Sequence, residues 1–142
     1  YSERECAFYF GYLTHLLTDK HWASKIVYGA KEKISGLFEQ DKASFWKTVK
    51  RDWYDLDFLY LKKYPEFEAF RIYEGIKEFK NIYLDFFGED AFEQRKKFIV
   101  EFYRKGVETV EERENYLSQE ELDAFVEYAV EEIIEEVQHI GG

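Results

Sequence analysis

Methionine is absent from all 142 residues, and cysteine and proline occur once each. A single thiol, Cys6, excludes an internal disulfide, and its apolar neighbours predict a buried, inert side chain. One proline, Pro65, leaves long stretches free of helix breakers. The missing initiator methionine marks Tyr1 as something other than a translation start, so a chain lacking an N-terminal segment is expected. No basic, apolar and small-residue regions of a secretion signal open the sequence, and the expected location leans to the cytoplasm. The longest apolar stretch, Cys6 to Leu13, falls far short of the ~20 residues that cross a bilayer, so no transmembrane segment is expected. A Gly-rich phosphate loop, a Gly-x-Ser-x-Gly elbow, His-Glu-x-x-His and Cys-x-x-Cys are also missing.

What is abundant is aromatic and acidic. The chain holds 12 Tyr, 14 Phe and 3 Trp, and 30 acids against 20 Lys and Arg for a net charge of -10. So many rings exclude intrinsic disorder, whose mark is a shortage of groups able to offset ordering entropy. The length suits one domain, residues 1–142. Charge is uneven: from residue 107 onward twelve carboxylates meet one cation, Arg113, whereas the preceding residues carry 18 acids and 19 bases. The short basic clusters are interleaved with acids, so nucleic acid is not an expected partner. The acidic end keeps helical spacing of its apolar residues and reads as a solvated helix face.

The periodicity predicts an all-α bundle of about five to seven helices with an aromatic-rich core. Ser2 and Glu5 form a capping-box pattern opening a helix from Glu3 to about Thr18, followed by a second stretch from about Lys20 to Phe38, continuous or kinked near Asp19. Asp41 is a plausible N-cap for a helix ending near Lys63, before Pro65. Glu66 to Phe87 predicts one or two shorter helices. Asp90 is expected to cap another, with Phe92, Phe98, Ile99, Phe102 and Tyr103 facing inward and Gly106 weakening it. Ser118 and Glu121 repeat the capping box before an acidic helix over about 119–138, whose apolar stripe runs from Leu122 to Val137 and stops before Gly141 and Gly142.

Candidate chemistry centres on His15 and Asp19. Four apart on a helix, they project from one face a turn from each other, a spacing that lets an imidazole nitrogen and a carboxylate oxygen share a divalent cation. Gly11, a further turn back, leaves that face open. The plain alternative is an ordinary imidazole–carboxylate pair. His21 reads as solvent-facing or at a rim and only secondarily as a ligand, and His139 as a cation at a helix C-terminus. Asp52, Asp55 and Asp57 form a second group. Asp55 reads as solvated, while Asp52 or Asp57, ~140° apart around the axis, is a candidate further ligand or general base. A Cys6–His15 nucleophile pair is excluded by ~13 Å of axial rise.

The stretch Gly11-Tyr12-Leu13-Thr14-His15-Leu16-Leu17-Thr18-Asp19 resembles the central motif of the bacterial zinc-dependent phospholipase C family, Gly-Tyr-Leu-x-His-x-x-x-Asp on an aromatic-rich helix. Asp52 to Asp57, with Tyr64-Pro65 after them, also looks like the region downstream of the motif in such relatives. The resemblance implies an all-α fold, zinc as cofactor with His15 and Asp19 as ligands, and a metal-activated water acting on a phosphate-ester or phospholipid substrate. Family members with activity carry further histidines before the motif and more His or Glu after it. This sequence offers only His21 and His139 beyond His15. The alternative is a non-catalytic helical module that binds a protein partner or a second copy of itself.

Overall fold

The structure, a computed structural model, describes residues 1–113 and 115–140. Every regular element among them is helical: α1 (Glu3–Trp22), a π-helical turn (Ala23–Val27), α2 (Tyr28–Lys33), α3 (Ser35–Gln40), α4 (Lys42–Lys63), α5 (Glu68–Gly75), α6 (Ala91–Thr109) and α7 (Gln119–Ile140). The all-α expectation holds. No described helix is long and apolar enough to cross a membrane.

The predicted starts are physical. Ser2 Oγ accepts the Glu5 N–H at 3.2 Å while Glu5 accepts the Ser2 N–H at 2.7 Å. The reciprocal pair recurs at α7, where Ser118 N–H donates to Glu121 at 2.9 Å and Glu121 N–H to Ser118 Oγ at 3.1 Å. Each box satisfies two amide donors that a helix leaves unpaired. Asp41 takes the Ser44 N–H at 3.1 Å and its hydroxyl at 2.6 Å, which holds the Asp41 carboxyl below its usual range.

Of the two alternatives at Asp19 the continuous one holds: α1 passes through it, widens into the π turn, and the break falls at Ile34, with φ -129° and ψ 43°. Three expectations require correction. Between Gly75 and Asp90 no helix forms. Asn81 organises this segment, its Oδ1 accepting from the Tyr83 and Leu84 N–H groups and its amide donating to the Leu84 and Phe87 carbonyls. Such local side-chain bonds compete with the helical ladder. Asp90 occupies the N-cap position of α6, yet its side chain makes no capping bond. Cys6 is exposed rather than buried. Gly141 and Gly142, expected as stops, lie outside the described residues.

The helices gather into two compact units, Tyr1–Asp52 with Glu114–Gly142, and Trp53–Arg113, with α4 divided between them. In the first, Ile26, Ala30, Phe45, Val49, Leu117, Phe125 and Ala129 are buried, Phe45 completely. In the second, Tyr54, Phe58, Phe102 and Tyr103 form a ring cluster, with Tyr54–Phe102 centroids 4.9 Å apart and Phe58–Tyr103 5.7 Å. Gly106 does not merely weaken α6. A Cβ there would meet the Phe58 ring at 2.3 Å, so the missing side chain is what lets the ring lie against the α6 backbone. Phe98, expected inward, is 55% exposed, with the Arg95 guanidinium 4.9 Å from its centroid.

Candidate functional site

α1 carries His15 and Asp19 on one face, as their spacing requires. His15 Nε2 lies 3.4 Å from Asp19 Oδ2, and the two side chains are 64% and 65% exposed. A Cβ on Gly11 would touch nothing within 4 Å. The pair is therefore an open, two-donor arrangement. Zinc sites use three or more protein groups, so His15 and Asp19 alone do not complete one.

Two residues further along, the helix turns His21 inward. Contrary to the solvent-facing expectation, His21 is 4% exposed, because this part of α1 packs on α7. Its Nε2 lies 2.8 Å from Glu136 Oε1, and its Nδ1 lies 3.4 Å from the Tyr128 hydroxyl. A neutral ring protonated on Nε2 donates to Glu136 and leaves Nδ1 to accept from Tyr128. Trp22 meets Phe125 edge to face at 5.1 Å beside it. Glu132, one turn before Glu136 on α7, completes a group with His21 whose ligand atoms all lie within 4.8 Å of one another.

That group has the donor set for a divalent cation but is already occupied electrostatically. Lys20 Nζ donates to both Glu136 oxygens at 3.0 and 2.8 Å. Its bonds, followed by that of His21, hold the Glu136 carboxyl below the usual glutamate range. The ammonium supplies the positive charge a metal would bring, and the arrangement works as a polar clasp between α1 and α7. The two glutamates escaped the sequence reading, although a signal existed: Glu132 and Glu136 flank Ile133 on the buried side of α7, unlike the exposed Glu131 and Glu135.

The three aspartates of α4 do different work. Asp52, 2% exposed, accepts the Tyr116 and Leu117 N–H groups at 2.9 and 2.8 Å, one on each oxygen. It thereby fixes the chain entering α7. Asp55, expected to be solvated, is buried and pairs with Arg113 at 2.9 Å. Asp57 belongs to the second unit and accepts from the Tyr103 hydroxyl at 2.9 Å. Burial raises the Asp57 carboxyl above the usual aspartate range, the Tyr103 bond opposing it. Tyr103 is raised in turn, by burial first and then by the Asp57 charge. Thus Asp52 and Asp57 each have a structural partner. His139, at the end of α7, is exposed, its Nδ1 2.7 Å from the Glu135 carbonyl.

No family model, no curated protein and no solved structure matches this chain.

Proposed function

We propose that this chain contributes to the metal site of a zinc-dependent hydrolase of the phospholipase C-like kind, with His15 and Asp19 as two of the ligands. The observation that carries the reading is the juxtaposition of an imidazole nitrogen and a carboxylate oxygen, 3.4 Å apart, on a helix face where both are about two-thirds exposed. The motif resemblance supports it. Zinc would supply a water made acidic enough to attack a phosphate ester at neutral pH. Two donors do not complete the coordination, and a zinc site draws on at least one further protein group.

Elemental analysis of purified protein tests the assignment. His15→Ala should lower bound zinc at least about tenfold, the scale expected when metal coordination is disturbed, while His21→Ala should leave it in place and loosen the α1–α7 seam instead. Zinc unchanged in His15→Ala would overturn the reading.

A second reading rests on α7. Val126, Val130 and Ile134, one turn apart, are 51%, 52% and 52% exposed and lie next to Glu127, Glu131 and Glu135. This acidic, half-apolar ledge suits a basic amphipathic helix of another protein, whereas two copies of it would repel each other. If this module reading is right, chelating metal leaves stability and partner binding unchanged.

A further inference from the structure

A cleft of about 660 Å³ lies within the second unit, between the end of α5, the following segment and one face of α6. Its size falls within the ~300–1,000 Å³ of small-molecule sites. Tyr73, Ile76, Phe79, Phe92 and Val100 make its floor, and Phe79 and Phe92 meet edge to face at 5.6 Å. In a chain of net charge -10, the rim is cationic: Lys77, Arg95, Lys96 and Lys97 border it.

The rim charges are unequally committed. Lys96 donates to the Ile76 carbonyl and holds the segment after α5 against α6. Of the bordering carboxylates, Glu74 is engaged by both Arg104 donors and Glu93 accepts the Phe79 N–H at 3.1 Å. Among the described residues, Lys77, Arg95 and Lys97 have no carboxylate partner. Glu93, whose bond comes from a neutral amide, keeps its charge, so it and Glu101 face the four cations of the rim, which stay in excess. An apolar floor beneath an excess of cations selects a ligand with one apolar and one anionic end.

We propose that this cleft binds an amphiphilic monocarboxylate, its hydrocarbon body on the aromatic floor and its carboxylate among Lys77, Arg95 and Lys97. The guanidinium supplies paired donors matched to a carboxylate, and the two ammonium groups add charge without fixed geometry. A neutral alcohol of the same chain length keeps the floor and forfeits the rim. A quaternary ammonium meets repulsion.

The test is calorimetric titration of the whole chain with dodecanoate below its micelle concentration, paired with amide chemical shifts. Saturable one-to-one binding is expected, with shifts confined to α5, residues 76–79 and α6. Dodecanol should bind about tenfold more weakly and dodecyltrimethylammonium more weakly still. Arg95→Glu combined with Lys97→Glu should cost about tenfold or more in dodecanoate affinity, and Val100→Trp, which fills the floor, should abolish binding. If the double variant does not fold, Lys77→Ala on the connecting segment decides, with a loss of about threefold expected. Absence of saturation, equal affinity for the alcohol, shifts elsewhere, or unchanged affinity in the folded rim variants would each overturn the proposal.

Discussion

The α1–α7 seam of the first unit and the α4–α6 seam of the second are held by different forces. Across the first, Lys20 and His21 converge on Glu136, with Trp22 on Phe125 as the aromatic contact, and beyond it Lys33, at the end of α2, bonds Glu121 and the Tyr116 carbonyl. Across the second, Tyr54 and Phe58 meet Phe102 and Tyr103, and Asp57 is the carboxylate drawn in. Directional polar bonds set the register of two helices but contribute little net energy where water reaches them. Ring packing supplies burial, with about 0.5–1.5 kcal/mol per aromatic pair beyond area, and demands a close fit. The first seam should therefore tolerate changes of volume better, and the second changes of charge.

The largest test of that contrast lies away from either seam. Phe45 is fully buried in the first unit, and Phe45→Ala should cost about 3–5 kcal/mol, read from the urea midpoint. A cost under about 1 kcal/mol would mean the first unit depends on its polar clasp after all. Next comes Gly106→Ala. Its new methyl would fall on the Phe58 ring, which Phe102 and Tyr103 hold in place. Overpacking of about 1–3 kcal/mol should outweigh the ~1 kcal/mol that alanine gains in helix propensity. A stabilised variant would show that the ring cluster yields easily.

The smallest effect is one of pH. The Asp57 carboxyl is raised in the folded state, so the folded protein holds this proton more tightly than the unfolded chain does. Its contribution to stability is full below the ordinary aspartate value and is lost as pH rises through the raised one. Glu136 runs the other way: depressed in the fold, it contributes above the ordinary glutamate value and loses that contribution as pH falls. Asp57→Asn should hence raise stability slightly at neutral pH and flatten that part of the pH profile. A thermal midpoint that drops at neutral pH would reverse the assignment.

Helices with paired local signals were legible in the sequence. Ser2 with Glu5, Ser118 with Glu121, and Asp41 ahead of a three-and-four apolar pattern each lie within one turn, and each start forms as expected. The segment after Gly75 was not, because its aromatics keep a helical spacing while one side chain, Asn81, diverts the backbone. Polar residues at the site were the hardest to read. His15 to Asp19 is a contact within one helix and comes directly from the 3.6-residue period. His21 to Glu136 and Asp52 to Leu117 join residues far apart in sequence, and periodicity says which face a side chain takes but not what lies opposite. Gly106 illustrates the same limit: its effect on helix propensity is local, whereas its use depends on Phe58.

The π-helical turn after Trp22 carries one surplus residue, since the Tyr28 N–H reaches the Ala23 carbonyl five positions back. Such a phase slip rotates the faces of α2 by about 100° from where an unbroken helix would set them. Substitution tolerance plotted on a single wheel from Glu3 to Lys33 would scatter. Plotted on two wheels cut at the wide turn, it would resolve into a forgiving side and an unforgiving one on each.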